Sequence, residues 1–317
     1  MNVSASARAL FNRLRYKHLL MLVTLGNSQN LHRAAQTLNM SQPATTRMLQ
    51  EIEDAFGCEL FERQTRGMKP NALGEEVLRF ARTALTQLDR CAEDITDRQQ
   101  GGYGYLSIGT IMGAAPDLVV QSIADMKRQH PRLKLRIMGD TSDQLIELLD
   151  QGSIDLAVAR QSAESDRSRY QFEPLGNEHL VVAVRADHPL AGRDQIDLSE
   201  LVSQWPWILQ PSSSPARMAL ERAFERLSLP SPRDVIECSS VFAMLQLVQM
   251  TEAILVLSET VVSDYLRTGL VVPLPLEIEE EMAPYGVLLR KNEPLSQELE
   301  TFLQLLRRRA NDLGLRP

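Results

Sequence analysis

The sequence predicts a small, mostly α-helical N-terminal domain that ends in a long helix, followed by a larger α/β domain. Apolar residues recur at helical spacing through residues 14–98. The glycine-rich stretch 99–104, QQGGYG, interrupts that pattern. Beyond it, short apolar runs alternate with amphipathic segments, the order of strands and helices in a layered α/β domain. A chain of 317 residues is long enough for both domains.

The composition is that of an ordinary globular protein, with 44% hydrophobic and 24% charged residues. No apolar run approaches the ~20 residues that cross a bilayer, and the N-terminus has no apolar stretch of signal-peptide length. Cys58, Cys91 and Cys238 are odd in number and far apart. This favours reduced thiols over a disulfide framework. We therefore expect a cytoplasmic protein with no membrane partner.

The net charge of −7 is distributed unevenly along the chain. Residues 1–72 contain nine Lys and Arg against five acids, whereas the remainder contains 25 basic and 36 acidic side chains. Nucleic-acid affinity depends on the local field, so a basic N-terminal segment on an acidic body is consistent with DNA binding.

Residues 32–56 read as two short helices joined by a turn. In the first, Ala34 and Ala35 are small enough to allow close packing at a sharp angle. Asn39 marks the turn, Ser41 is the predicted N-cap of the second helix, and Pro43 stands in its first turn. This arrangement predicts a helix-turn-helix.

The second helix has two different faces. Met48, Leu49, Ile52, Ala55 and Phe56 form the face that we expect to be buried. The opposite face begins with Gln42, Thr45, Thr46 and Arg47. Side chains of these types bind base edges, the thymine methyl group and phosphate, so this face is predicted to read DNA.

A basic segment, residues 61–71, follows the helix pair and reads as a β-hairpin wing. Its basic residues are Arg63, Arg66 and Lys69. As a wing, it would lay Arg63 and Arg66 along phosphates, with Arg66 able to enter the minor groove. The alternative is an ordinary solvated basic loop. The helix pair beside it favours the wing.

Asn71 is the predicted cap of a long helix that runs to about residue 98. Apolar residues within it recur in steps of four and three, the spacing of a coiled-coil seam: Val77, Ala81, Ala84, Leu88, Cys91 and Ile95. This seam packs either on the chain's own body or on the same helix of a second copy. Pairing is favoured because half-sites on DNA call for a two-fold dimer.

The motifs of this region resemble the DNA-binding domain of the LysR-type transcriptional regulators. The residues at that family's spacing are Ala34-Ala35, Ser41-Gln42-Pro43-Ala44, Arg47, Leu60-Phe61-Glu62-Arg63 and Gly74. The resemblance implies a winged helix-turn-helix over residues 1–71 and a dimerising linker helix over residues 72–99. His32 stands where Ser or Thr is the usual N-cap in that family, which predicts a weaker cap.

The resemblance also implies the partners: operator DNA with two-fold half-sites, a second copy bound through residues 72–98, assembly into a tetramer, and RNA polymerase. The residues expected to contact DNA are Arg33, Ser41, Gln42, Pro43, Thr45, Thr46, Arg47, Arg63, Arg66 and Lys69.

After a hinge at residues 100–104, the apolar runs predict a largely parallel sheet covered by helices on both faces. The predicted strands are 105–111, 133–138, 155–159, 180–184, 207–209, 235–237 and 254–257. The predicted helices are 115–130, 145–151, 215–227, 241–250 and 294–313.

Residues 105–317 resemble the effector domain of LysR-type regulators, which has the type 2 periplasmic-binding-protein fold of two subdomains around a cleft. The matching positions are Gly139, Leu145, Leu149, Gly152 and Asp155-Leu156-Ala157. By resemblance the chain crosses between subdomains near residues 160–165 and 265–271. The first subdomain would then comprise residues 105–160 and 271–310, and the second residues 166–265.

Three strand ends are candidate effector sites, because ligands of open α/β sheets bind beyond the carboxyl ends of strands. The candidate residues are Thr110, Ile111, Met112, Thr141, Ser142, Arg160, Gln210, Pro211, Ser212 and Ser213. For Thr110, Ser142 and Ser212, helix capping is the alternative role. Arg160 either pairs with an anionic effector or is a surface charge at the crossing, and the second reading is slightly favoured.

The effector is expected to be a sugar or a small carboxylate. The effector half resembles the galactose-binding-protein regulator branch, whose effectors are sugars. Where the family commonly has a Gly-rich turn, this chain has Thr251-Glu252-Ala253. If Glu252 points inward, its carboxylate disfavours an anionic effector.

Enzyme chemistry lacks support in the sequence. The histidines 18, 32, 130, 179 and 188 have no metal-ligand spacing, and G-x-S-x-G, P-loop and G-x-G-x-x-G motifs are absent. We predict no cofactor and no metal. Cys238 reads as a redox sensor or as a buried structural thiol, and the second reading is favoured because the effector domain has no resolving cysteine.

Two function classes remain. The first is a ligand-responsive transcription factor. The second is a small-molecule binding protein or enzyme whose N-terminal helices only mediate oligomerisation. A pure oligomerisation helix has no need of exposed Gln, Thr and Arg at residues 42–47 beside a basic loop, so the first is favoured.

Overall fold

The computed structural model describes residues 13–64, 67–99, 104–161, 168–280 and 282–315. The chain divides into two compact units. The first contains the residues up to Tyr105 together with Glu147–Asp155, and the second contains Leu106–Ile146 and the residues from Leu156 onward. No helix in the described ranges is long and apolar enough to cross a membrane.

Three helices form the start of the first unit: α1 (Tyr16–Ser28), α2 (Leu31–Thr37) and α3 (Gln42–Phe56). They enclose a common core whose buried residues are Leu19, Met21, Leu22, Leu25, Ala34, Leu49, Ile52, Leu60, Phe61, Leu78 and Ala81. Each large apolar side chain buried here stabilises the fold by about 1.5–3 kcal/mol. This small core fixes the orientation of α3, the helix predicted to read DNA.

Local capping explains where these helices begin and end. The Ser41 hydroxyl accepts from Ala44 N at 3.4 Å, which confirms the predicted cap, and Gly57 ends α3 in the left-handed region with φ 71°. The weak cap expected at His32 is wrong, because α2 begins earlier. The Asn30 side chain accepts from the backbone N–H groups of His32 and Arg33 and so caps α2.

A two-stranded hairpin follows, formed by β1 (Phe61–Gln64) and β2 (Gly67–Pro70), as the wing hypothesis predicts. The Glu53 carboxylate accepts from Leu60 N at 2.8 Å, which fixes the start of the hairpin on α3. Met68 N donates to Gln29 O at 2.8 Å and fixes the return strand next to the end of α1. The predicted wing residue Arg66 lies outside the described residues.

The long helix α4 (Ala72–Gln99) begins at its predicted cap, where Asn71 Oδ1 accepts from Gly74 N at 2.8 Å. The predicted seam divides into two parts. Ala81 is buried in the core of the first unit, and Val77 and Ala84 pack against that core. The prediction that this half of the seam is free to pair with a second copy is therefore wrong, because α1 covers it.

An apolar stripe on α4 is exposed, and it includes Leu88 and Ile95 from the other half of the predicted seam. It comprises Leu73, Phe80, Leu88 and Ile95, which are between 46% and 56% exposed. Their spacings of seven, eight and seven residues keep all four side chains on one side of a helix with 3.6 residues per turn.

The segment Glu147–Asp155 belongs to the first unit through contacts with α4. Arg90 donates to the Gly152 carbonyl at 2.8 Å and pairs with Asp155. Both side chains of that ion pair are less than one-fifth exposed.

The second unit contains two five-stranded sheets and the helices that cover them. Its strands are β3 (Tyr105–Thr110), β4 (Lys134–Gly139), β5 (Leu156–Arg160), β6 (Tyr170–Gly176), β7 (Leu180–Arg185), β8 (Trp207–Leu209), β9 (Val235–Glu237), β10 (Ile254–Ser258), β11 (Val271–Glu277) and β12 (Tyr285–Arg290). Its helices are α5 (Gln121–Gln129), α7 (Leu198–Gln204), α8 (Pro215–Arg226), α9 (Val241–Met250), α10 (Glu259–Arg267) and α11 (Gln297–Asp312), together with the first half of α6 (Ser142–Asp150), whose residues from Glu147 onward belong to the first unit.

The strand orders are β4-β3-β5-β12-β6 in one sheet and β11-β7-β10-β8-β9 in the other. Strands β3 and β5 pair in parallel, as do β8 with both β10 and β9. However, β12 runs antiparallel to β5 and β6, and β7 runs antiparallel to β10 and β11. Both sheets are therefore mixed, and the expectation of a largely parallel arrangement is wrong at these strands.

The chain crosses between the two sheets at residues 177–179 and 278–284, not near residues 160–165 and 265–271. Strand β6 joins the first sheet before the first crossing, and β11 joins the second sheet before the second crossing. Both strands contain proline and charged residues. They lack a continuous apolar run, so the sequence did not predict them as strands.

The predicted helix 115–130 is also irregular. A 3₁₀ turn at Met112–Ala114 and a π-helical stretch at Ala115–Val120 precede α5. The sequence further missed β12, α7 and α10.

The sheet that contains β7 has a core on each face. On one face Trp207 packs edge-on against Phe224, with ring centroids 5.8 Å apart. On the other face Met244 and Val248 of α9 and Val262 of α10 are buried.

A buried histidine, His188, lies beside this core. Leu190 N donates to His188 Nδ1 at 3.1 Å, so the proton is on Nε2, which donates to the Glu252 carbonyl at 3.1 Å. Burial lowers the pKa of His188 below 6.5, and the charge of Arg185 lowers it further. The imidazole is therefore held neutral in the fold.

We predict that Gly74→Ala lowers the free energy of unfolding by about 1–3 kcal/mol. A Cβ at Gly74 would lie 2.0 Å from the Leu60 carbonyl oxygen, a backbone atom that cannot move aside cheaply. The helical preference for Ala over Gly, about 1 kcal/mol, opposes this effect. Urea unfolding measures the difference. Gly139→Ala is the control, because a Cβ there has no neighbour within 4 Å. Equal stability of both variants would contradict the clash.

We predict that the free energy of unfolding falls as the pH falls below 6.5, the ordinary pKa of histidine. The unfolded chain then binds a proton that the folded chain, with its lowered His188 pKa, does not bind. In His188→Gln this slope should flatten between about pH 7.5 and 5.5. The control is His179→Gln, which changes an exposed histidine. An unchanged slope in His188→Gln would refute the assignment.

Candidate functional site

The N-terminal end of α3 presents a polar surface. Ser41, Gln42, Pro43 and Arg47 are exposed, and the Thr46 hydroxyl donates to the Gln42 carbonyl at 3.0 Å. The exposed side chains at the start of this helix can donate hydrogen bonds to, and accept them from, base edges in a major groove.

Thr45 is an exception among the predicted contact residues. Its side chain is fully buried, and its hydroxyl donates to the Ser41 carbonyl at 3.1 Å. Thr45 lies one turn before Leu49 and two turns before Ile52, so it belongs to the buried face of α3. The prediction that Thr45 contacts DNA directly is therefore wrong.

Several basic side chains of the first unit are exposed and have no ion-pair partner among the residues that the structure describes, and those among them that were predicted to contact DNA are Arg33, Arg47, Arg63 and Lys69. Arginines of the second unit commonly have such partners; for example, Arg185 pairs with Asp187 and Arg307 pairs with Glu173. Unpaired cations leave their charge available to phosphate, and their contacts with DNA release counterions.

In the second unit, nine of the ten predicted effector residues line one cavity of about 640 Å³. The nine are Thr110, Ile111, Met112, Thr141, Ser142, Arg160, Gln210, Pro211 and Ser213. Ser212 is exposed and does not line the cavity. A volume of this size is in the range of small-molecule sites.

The topology explains why these residues meet. Thr110 ends β3, residues 139–142 follow β4, Arg160 ends β5 and Gln210 follows β8. Carboxyl ends of parallel strands lie at the same edge of a sheet, and the two sheets each contribute such an edge. Each crossing adds one residue to the cavity lining: the first adds Glu178 and the second adds Met282.

Arg160 is buried in the cavity wall, so its interpretation as a surface charge is wrong. Its Nη2 pairs with the Glu178 carboxylate, and the two side chains are only 11% and 9% exposed. Its Nε donates to the Ala283 carbonyl at 3.1 Å. The sequence did not identify Glu178, because nothing in the local pattern of residues 177–179 indicates a crossing.

Helix capping, the alternative role for Thr110, Ser142 and Ser212, is not seen in their contacts. The Thr110 hydroxyl donates to the Ile111 carbonyl and caps no helix. Ser142 Oγ accepts from Arg160 N at 3.1 Å. The cap of α8 is Ser214, which accepts from Arg217 N, and not Ser212.

Glu252 does not line the cavity. Its carboxylate is exposed and lies 3.5 Å from Arg185. The suggestion that an inward-pointing Glu252 disfavours an anionic effector is therefore wrong.

The charge of Glu178 also affects the pKa of a tyrosine, Tyr285. The pKa of Tyr285 is raised to about 12, first by burial and then by the negative charge of Glu178, while Arg160 opposes the shift. The ion pair and this phenol thus form one buried polar group at the crossings.

No group of three or more His, Cys, Asp or Glu in the described part of the chain is arranged to hold a metal ion. Cys238 is half-buried, and its thiol lies 3.5 Å from the Ser240 carbonyl.

Comparisons with known proteins match both regions. Residues 16–75 match the model of the bacterial regulatory helix-turn-helix protein, lysR family, and residues 99–311 match that of the LysR substrate binding domain.

Curated relatives match along nearly the whole chain. The transcriptional regulator GbpR of Azospirillum brasilense is 37% identical over 306 residues, which cover 96% of this chain and 89% of that protein. The regulator PcaQ of Agrobacterium fabrum is 25% identical over 95% of this chain and 96% of its own length.

A solved structure shares the fold. Full-length CbnR in complex with its target DNA superposes with a TM-score of 0.62 at 19% identity, covering 93% of this chain and all of that one. The chain therefore belongs to the LysR family, as a DNA-binding transcriptional regulator with an effector-binding domain and not an enzyme.

Proposed function

We propose that the chain is a dimeric regulator that reads operator DNA with the start of α3 and responds to a small molecule in the cavity of the second unit. Residues 1–71 form the DNA-binding domain, residues 72–99 the dimerising linker helix, and residues 105–317 the effector domain after a hinge at residues 100–104. The observation that carries the proposal is the exposed start of α3, together with Arg33, Arg47, Arg63 and Lys69, which are exposed and have no ion-pair partner within the described part of the chain.

Sequence reading is assigned to Gln42, Thr46 and Arg47, because their side chains begin an exposed helix face. Arg33, Arg63 and Lys69 are assigned to phosphate, since exposed cations without partners hold the DNA backbone without reading bases. Ser41 and Pro43 complete the contact surface at the helix start, and Arg66 is expected to extend it from the wing.

Dimerisation is assigned to the exposed stripe on α4. A helix that exposes Leu73, Phe80, Leu88 and Ile95 to water gains by covering them with an equivalent helix. A two-fold dimer would present two DNA-binding domains to two half-sites. Further pairing into a tetramer would bend promoter DNA and bring RNA polymerase within reach.

The effector is assigned to the cavity between the two sheets. A sugar or a small carboxylate is the proposed class of effector, because such a ligand fits a cavity of this size. A ligand there contacts both sheets and both crossings, so it can favour one relative position of the sheets over another. This coupling is tested by adding cavity ligands to the protein–operator complex and measuring the change in operator affinity. No change for any cavity ligand would refute the effector role.

We predict that Gln42→Ala relaxes preference at one base pair of the operator, at a cost of about 1–3 kcal/mol for that base. Competition between operator variants in an electrophoretic mobility shift assay measures this preference. Equal loss of affinity for every duplex would contradict a base-reading role for Gln42.

We predict that Arg63→Ala weakens binding to all duplexes and reduces the slope of log affinity against log salt by about 0.9. The matched control is Arg267→Ala, which removes an exposed arginine of the effector domain that is paired with Asp264. Fluorescence anisotropy at several salt concentrations measures both slopes. An unchanged slope in Arg63→Ala would exclude its phosphate contact.

We predict that Leu88→Glu dissociates the dimer, because it places a carboxylate in the apolar stripe of α4. Sedimentation velocity measures the mass of the particle. Leu227→Glu is the control, since Leu227 is about equally exposed in the effector domain. A dimer that survives Leu88→Glu and Ile95→Glu together would place the interface elsewhere.

A further inference from the structure

We infer that Glu178 is a specificity residue that holds Arg160 and thereby excludes carboxylates from the cavity, so that the ligand is an uncharged, hydroxyl-bearing molecule. This inference rests on the proposed effector role of the cavity and narrows its ligand class.

The first step concerns the cation. Among the described residues that line the cavity, Arg160 is the one with a positive charge. A guanidinium in a buried site is the usual partner of a ligand carboxylate, since it offers parallel N–H donors. Here the chain's own Glu178 is that partner, and Nε is engaged by the Ala283 carbonyl. A ligand carboxylate would have to displace Glu178 or lie beside its charge.

The position of Glu178 is built into the fold. A Cβ at Gly113 would lie 2.2 Å from a Glu178 carboxylate oxygen, so glycine at that position allows the carboxylate to lie where it does. The Gly113 carbonyl is itself fixed by the Thr260 hydroxyl, which donates to it at 2.6 Å. Glu178 is thus packed against the backbone beside the ion pair.

The remaining charges of the cavity have the same sign as a carboxylate ligand. Asp140 and Asp143 line it in addition to Glu178, so three carboxylates face one guanidinium. Like charges at short range in a partly buried site disfavour a further anion.

Helix N-termini are the other common anion sites, and two of those beside the cavity are partly engaged by the chain's own groups. At the start of α6 the Asp140 carboxylate accepts from Thr141 N at 2.9 Å, and Asp143 lies in the first turn. At the start of α8 Pro215 has no N–H, and Ser214 caps Arg217 N. At these two helix starts, Thr141 N and Arg217 N are therefore already engaged by the chain, and Pro215 offers no N–H to an anion.

The groups that remain suit hydroxyls. Gln210, Ser213 and Ser239 line the cavity with neutral donors and acceptors. Ile111, Pro211, Leu257 and other apolar residues form the rest of the wall. Neutral polar groups on an apolar wall fit the mixed surface of a sugar or polyol.

The test compares neutral sugars with their own aldonic acids: galactose with galactonate, glucose with gluconate, and arabinose with arabinonate. Thermal unfolding of the full-length protein against increasing concentration of each probe gives its dissociation constant, because a ligand of the folded state raises the midpoint. We expect no aldonate to bind the wild-type protein more tightly than its sugar does. In Glu178→Gln at least one aldonate should bind about tenfold more tightly than in wild type, the gain expected for one charge-assisted contact.

Matched variants separate the ion pair from general effects of charge. Glu173→Gln removes a carboxylate that pairs with Arg307 outside the cavity, and it should behave as wild type. The double variant Arg160→Gln/Glu178→Gln should lose the gained aldonate affinity, and Glu178→Ala should reproduce that gain if Glu178→Gln folds poorly.

Two results would overturn the inference: a wild-type protein that binds an aldonate more tightly than its sugar, or an unchanged aldonate affinity once Glu178 is neutralised. The proposed function fails separately, in the operator assay, because these unfolding measurements report occupancy of the cavity without DNA.

Discussion

Arg160 lies where three segments of the effector domain meet. Its backbone N–H donates to Ser142 after β4, its Nη2 pairs with Glu178 in the first crossing, and its Nε donates to Ala283 in the second crossing. Removing one member of such a buried pair leaves an uncompensated charge, at a cost of about 3–5 kcal/mol. The same contacts fix both crossings against the end of a strand, so the shape and the charge of the cavity depend on one guanidinium.

Charge is used differently in the DNA-binding domain. There the side-chain hydrogen bonds fix the positions of the helices and the hairpin. Glu53 binds the start of the hairpin, Asn71 caps α4 and Ser41 caps α3. Arg33, Arg47, Arg63 and Lys69 are exposed and have no ion-pair partner among the described residues. A rigid scaffold with unpaired cations on its surface loses little conformational freedom on meeting the phosphates of a duplex.

Regular features of local sequence predicted much of this structure. Caps, the helix pair, the wing, the long helix and most strands follow from patterns within about ten residues of the chain. What the sequence missed depends on distant packing. Thr45 is polar and adjacent to residues that are predicted to read DNA, yet tertiary packing buries it. Val77 has coiled-coil spacing but is covered by the chain's own core. Glu178, which the sequence did not identify, lines the cavity, whereas Glu252 does not, because only the order of strands decides which acid lies at a crossing. The two strands that precede the crossings contain proline and charge, so no apolar run marks them.

Selection of duplexes from a fully randomised DNA pool by the full-length protein tests the central claim most directly. A two-fold dimer with one recognition helix per subunit should enrich an inverted repeat whose half-sites are about one or a few helical turns apart. A pool that shows no enrichment, or that enriches only a single half-site, would contradict the account of a dimer that reads DNA through α3.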